Sequence, residues 1–193
     1  MPASLGVALK ALCQLGILPV LLNAFYRLGL ATGHYRRAER REQDVEISLL
    51  RPLFVIPKPE ELLAVLGEAG KATLLAEADE IVAGKVRLFG GEPVDLDLSL
   101  PGKLEHWTAY ETGKVDLRQH VPARWGSTFD IKLLWEPARF GWAFCLGRAF
   151  HLTRDEKYAE SFWRNFEIFT ASNPPYLGPN WTSGQEAALR LMA

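Results

Sequence analysis

From Asp130 onward the chain is punctuated as a series of helices. Phe140, Phe144 and Phe150, then Phe162, Phe166 and Phe169, recur at helical spacing, a pattern that places one face of each segment in a core. Between them, "TRDE" offers Thr153 and Glu156 as a capping box for a helix over "EKYAESFWRNFEIFTAS". "PARFGWAFCLGRAFHL" has Pro137 at an expected helix start, where a missing N–H is harmless. "NPPYLGPN" breaks the pattern as a proline–glycine loop before a last helix, whose cap is either Thr182 with Gln185 or Ser183 with Glu186.

Upstream the signals are shorter. Residues 5–42 read as one or two helices broken near Pro19, with Arg36, Arg37, Arg40 and Arg41 forming a basic cluster diluted by Glu39 and Glu42. "RPLFVIPKP" is a proline-bounded connector, and "PEELLAVLGEAG" and "ATLLAEADEIVAG" read as short helices each closed by a glycine. Two alternating runs flank Gly90-Gly91 in "KVRLFGGEPVDLDL", predicting a β-hairpin near 85–97. Residues 99–128 are loop-rich. The expected segments are 1–58, 59–128 and 129–193, all three forming one domain, since 193 residues suit one substantial domain.

Composition narrows the function. A net charge of -1 gives no bulk attraction to nucleic acid. Cys13 and Cys145 are far apart and fit no metal or redox spacing, so both are expected as buried free thiols. The apolar N-terminal stretch is interrupted by Gln14, Pro19, Asn23 and Arg27, which argues for an amphipathic helix and against a stable membrane span. Its basic flank and the cleavage site after "LNA" make a poor export signal, leaving a cytoplasmic location as the default. His34, His106, His120 and His151 are scattered and not spaced for a metal, and no phosphate loop, nucleophile elbow or HExxH is present, so no cofactor is expected.

Two polar sets stand out. Trp135, Glu136 and Arg139 cluster around Pro137, with Glu136 expected at a helix N-terminus and Arg139 one turn on. Asn180, Trp181, Glu186 and Arg190 surround the start of the last helix, where Glu186 is either a capping acid or an (i, i+4) partner of Arg190. Each set reads either as ion pairs fixing helix ends, the reading that close spacing favours for the first set, or as a sugar grip, with tryptophans to stack on and arginines for a carboxylate. Tyr110 and Tyr176 lie in loops and could line a groove.

The ordered elements "DIK", "WE..RF", the "TRDEKYA" turn, "NPP...G.NW" and "E.A.R", over some 65 residues, resemble the N-terminal helical domain of the heparinase II/III-like polysaccharide lyases. "LFGGEPVDL" and "HWTAYETG" match that family's short β segment and aromatic–His loop more loosely, since the family shows Trp-His where this chain has His106-Trp107. The resemblance implies a mainly α chain, a partial (α/α) toroid of helix pairs, followed in relatives by a β-sandwich. It implies β-elimination on uronate-containing acidic polysaccharides. That chemistry needs a neutralised carboxylate, a base for the C5 proton and an acid for the leaving oxygen. Relatives use an Asn, a Tyr and His residues for this, beyond the last helix seen here. The expectation is therefore a non-catalytic, N-terminal lyase segment with substrate-binding residues Trp135, Glu136, Arg139, Asn180, Trp181, Glu186 and Arg190 and no catalytic ones. The other reading is a non-catalytic carbohydrate-binding or interaction scaffold.

Overall fold

A computed structural model of the chain describes residues 5–39, 55–121 and 130–193. The chain divides into two compact units, residues 1–49 and 50–193. It is mainly helical, with a single small two-stranded antiparallel sheet among the described residues.

The first unit holds α1 (Leu5–Leu15), α2 (Ile17–Thr32) and α3 (His34–Ala38). The break falls at Gly16, which takes φ 82°, and not at Pro19. Pro19 is instead in the first turn of α2, where its nitrogen has no intrahelical acceptor to lose. A second glycine in the left-handed region, Gly33, closes α2. Tyr35 of α3 folds back over α2, its ring 5.7 Å from that of Tyr26 and so close to Gly29 that a Cβ there would lie 2.7 Å from it. Arg40 and Arg41 of the expected basic cluster lie outside the described residues.

The second unit begins its helices with α4 (Pro59–Val82), kinked at Gly67, whose φ of 65° and ψ of 177° leave the helical region. Two helical stretches were expected there, and the kink separates them at Gly67, while Gly70 is helical. Pro59 opens α4, and Glu61 accepts a hydrogen bond from the Lys58 backbone N–H at 2.9 Å. The second stretch presents Leu74, Ala78 and Ile81 to the interior, one helical face by spacing. Against it packs α7 (Gly141–Thr153) through Trp142, Ala143, Cys145, Leu146 and Ala149. Ala78 and Ala149 are fully buried, and such small side chains let two helices approach closely. The third layer is α8 (Glu156–Ser172), contributing Tyr158 and Phe169.

The hairpin forms where expected: β1 (Lys85–Arg87) pairs with β2 (Pro93–Asp95), with Val86 opposite Val94. The connection is a five-residue loop, 88–92, that includes a 3-10 turn. A bidentate pair from Arg87 to Glu80, at 2.8 and 2.7 Å, ties the hairpin to α4. The loop-rich stretch carries a short helix, α5 (Trp107–Glu111), and its residues 105–107 bond to the loop at 176–178. Trp107 N–H donates to the Tyr176 carbonyl at 2.9 Å, and Gly178 N–H to Glu105 at 2.8 Å.

Several local expectations give way to tertiary packing. Pro137 lies inside α6 (Lys132–Ala138), in its last turn, and Glu136 is therefore not at a helix N-terminus. The turn between α6 and α7 is made by Phe140 in the left-handed region (φ 61°). Thr153 ends α7, and the cap of α8 is Asp155, whose carboxylate accepts from the Lys157 N–H at 3.1 Å. Glu156 is the first residue of α8. Of the aromatic positions, Phe140 and Phe169 are buried and Phe150, Phe162 and Phe166 pack at the edge of the core. Phe144 is exposed, with Arg148 over its ring. Cys145 is buried as expected, but Cys13 is exposed. Tyr110 is also buried, not groove-lining.

Candidate functional site

The two polar sets, more than forty positions apart, meet in one cluster where α6, the 3-10 turn at Pro179–Trp181 and α9 (Gly184–Met192) converge. Arg139, the residue after α6, is its hub. Its Nε and Nη2 donate to the two carboxylate oxygens of Glu186 at 2.6 and 2.8 Å, and Nη1 donates to Glu136 at 2.5 Å. Two carboxylates around one guanidinium hold the proton on Arg139 still more firmly than usual, with the Glu186 hydrogen bonds the larger cause. Glu186 is buried and Ser183 caps α9, so Glu186 serves both the first turn of the helix and the Arg139 pair.

Trp135 donates its indole N–H to the Pro179 carbonyl at 3.1 Å, so α6 grips the 3-10 turn. Arg190 closes the cluster from the other side. Its Nε donates to the Ala138 carbonyl at 2.7 Å and its Nη2 to the Asn180 carbonyl at 3.0 Å. The guanidinium lies 5.0 Å from the ring centres of both Phe169 and Trp181. Burial lowers its pKa from the ordinary arginine value, opposed by the charge of Glu186. The (i, i+4) pairing of Glu186 with Arg190 is thus replaced: Glu186 bonds Arg139, and Arg190 bonds the free carbonyls at the end of α6 and at the 3-10 turn, as a cation near a helix C-terminus should.

Asn180 is buried and donates to Asn173 Oδ1 at 2.8 Å; Asn173 in turn donates to the carbonyls of Leu98 and Phe169 at 2.8 and 3.0 Å. This amide ladder, which fixes the 173–180 loop to α8, was not legible in the sequence, because two asparagines in a loop carry no spacing rule. The Trp181 indole N–H and Asn180 Oδ1 are buried without a protein partner.

Beside the cluster runs an open groove of about 470 Å³, walled by Phe140, Phe166, Phe169, Trp181, Arg190 and Leu191, among others. Of the seven predicted residues, Trp181 and Arg190 line this groove. Trp135, Asn180 and Glu186 contribute hydrogen bonds within the cluster, and Glu136 and Arg139 are partly exposed. Tyr176, exposed and in the left-handed region, stands with its ring 6.3 Å from that of Trp181.

The histidines are employed elsewhere. His120 is fully buried, with Nδ1 2.7 Å from the Pro101 carbonyl and Nε2 2.8 Å from the Tyr110 hydroxyl. Since a carbonyl can only accept, Nδ1 carries the hydrogen there, while Nε2 pairs with the Tyr110 hydroxyl, whose oxygen accepts from the Glu105 N–H. This chain pins residues 101–120 and is closed to a polymer. His106 caps α5, accepting from the Thr108 N–H. Nε2 of His151 lies 2.8 Å from the Pro57 carbonyl. Among the described residues no group of His, Cys, Asp and Glu is arranged to hold a metal ion.

Compared with protein-family models, with curated proteins and with solved structures, the chain matches none.

Proposed function

We propose that this chain is the N-terminal, non-catalytic part of a polysaccharide lyase that cleaves uronate-containing glycans by β-elimination, its helix pairs belonging to an (α/α) toroid. The observation that carries the reading is the convergence of both polar sets beside one apolar groove containing Trp181 and Arg190. Aromatic faces suit the apolar side of a sugar ring. A guanidinium held flat by two carbonyls keeps its remaining donors for a carboxylate.

One observation favours the second reading, a carbohydrate-binding or interaction scaffold: Arg139 already spends Nε, Nη1 and Nη2 on protein carboxylates. The two are separated by titrating the chain with oligouronates and with neutral oligosaccharides of equal length, following tryptophan fluorescence. The lyase reading expects preference for the uronates, weakened about tenfold in Arg190→Lys by loss of the planar fork, and no unsaturated uronate ends in the product. Equal affinity for neutral glycans, or none for either, overturns it. Unsaturated ends made by the chain alone would overturn the non-catalytic assignment.

A further inference from the structure

The unit formed by residues 1–49 carries a different chemistry. Helix α2 has no buried residue. At about 100° per residue, Ile17, Leu18, Leu21, Leu22, Phe25 and Leu28 fall on one arc of about 140°, and all six are between 46% and 67% exposed. The opposite arc holds Asn23 and Arg27, together with Tyr26, which is packed by Tyr35. α3 thus packs through Tyr35 against Tyr26 and Gly29, at one edge of the apolar arc, and leaves the six apolar side chains exposed. Leu12 and Leu15 extend the apolar surface onto the end of α1.

Charge decides what such a face suits. The described residues 5–39 carry Lys10, Arg27, Arg36 and Arg37 against a single acid, Glu39, which lies beyond the apolar helix. Arg37 is anchored by a hydrogen bond to the Thr32 carbonyl at the C-terminal end of α2, which sets positive charge at that end of the apolar stripe. A second copy of the same surface would bring cations against cations. An acidic, apolar-cored surface complements it, and an anionic bilayer is that surface. The helix is too short to cross: 16 residues span about 24 Å against a hydrocarbon core of about 30 Å, and no described helix is long and apolar enough to do so.

We propose that α2, with the end of α1, lies in the plane of an anionic membrane surface, its Leu/Ile/Phe arc in the acyl boundary and Arg27, Arg36 and Arg37 at the headgroups. This does not depend on the reading of the groove at α9. The test is flotation of the full chain with vesicles of phosphatidylcholine alone and with a quarter of the lipid replaced by phosphatidylglycerol. The expected result is binding to the anionic vesicles, weakened by salt, and lost in Leu21→Asp/Phe25→Asp. Arg36→Gln/Arg37→Gln, which leaves the apolar arc intact, should bind about thirty-fold more weakly. All six tryptophans lie between residues 107 and 181, so near-ultraviolet circular dichroism verifies that the rest of the chain keeps its fold in each variant. A chain that stays unbound with both vesicle types, whether as a monomer or as a dimer dissolved by Leu21→Asp/Phe25→Asp, overturns the proposal. So does undiminished vesicle binding by Leu21→Asp/Phe25→Asp, or equal binding to neutral and anionic vesicles.

Discussion

Arg139 and Glu186, 47 positions apart, form a two-point hydrogen-bonded ion pair that fastens the end of α6 to the first turn of α9. Glu186 is nearly inaccessible while Arg139 keeps about a quarter of its side chain exposed, so the acid is the costlier member to strand. Removing one partner of a buried pair leaves the other unpaired in a poorly solvated place. Glu136 remains to serve Arg139, which softens the loss. Arg139→Met, which strands Glu186, is expected to cost about 3 kcal/mol and Glu186→Leu, which leaves Arg139 with Glu136, about 2 kcal/mol, with a coupling energy of about 1.5–3 kcal/mol in the double-mutant cycle. Urea unfolding followed by tryptophan fluorescence measures it, and a coupling below about 0.5 kcal/mol would mean the pair contributes no joint stabilisation.

Phe140 combines a strained backbone with a deeply packed ring. Its φ of 61° lies where a Cβ is unfavourable, yet the ring sits 4.9 Å from Phe169 and 5.2 Å from Trp142. Either truncation forfeits the ring, about 3–5 kcal/mol. Alanine retains the backbone penalty and glycine does not, so Phe140→Gly should be more stable than Phe140→Ala by about 1 kcal/mol, reversing the usual order of the two. The opposite order in thermal or urea melts would show that the turn relaxes once the ring is gone.

What could be read from the chain, and what could not, divides along physical lines. α8 has the limits expected of "EKYAESFWRNFEIFTAS", and the hairpin at Gly90-Gly91 forms, because helical periodicity and turn glycines act locally. All seven residues singled out do meet. The Glu136–Arg139 pair was legible from its one-turn spacing and forms. The partners of Glu186 and Arg190 were not: spacing puts those two one turn apart, while the fold offers Glu186 the guanidinium of Arg139 at the end of α6. The choice of Gly67 over Gly70 for the kink, and of Asp155 over Thr153 for the cap, was between neighbours that local rules rank alike. In each case packing selected one. Phe144 shows the converse, a periodic aromatic left outside because α7 turns its other face to α4 and α8.

The two cysteines should differ sharply in reactivity. Cys145 is buried against α4, its thiol 3.7 Å from the Leu74 carbonyl, and burial pushes its pKa up to about 12. Thiolate is the reacting species, so the native protein at pH 8 should release one equivalent with an aromatic disulfide reagent, from exposed Cys13. The second equivalent should appear only with unfolding, at the rate of unfolding. Cys13→Ala should leave no fast phase; a fast phase in that variant would mean the α4–α7 contact opens in the native state.

Asp79 offers a test of the electrostatics at the other end of the core. Its carboxylate receives Lys157 Nζ at 2.8 Å and the Tyr158 hydroxyl at 3.0 Å, and its pKa is lowered from the ordinary value, with the Lys157 hydrogen bond as the largest cause and that of Tyr158 acting the same way. Desolvation opposes them. A depressed native pKa means that the unfolded chain binds the proton more readily. The stabilisation is therefore present above the unfolded value of about 3.9 and is lost as pH falls through the native one. Its size is small, because both side chains are largely solvated and salt-screened. The titration itself is the sharper observable: a carboxyl NMR midpoint below the usual aspartate range in the parent chain, moving up in Lys157→Ala by more than in Tyr158→Phe. A midpoint that Lys157→Ala leaves in place would show that the ammonium does not hold this contact in solution.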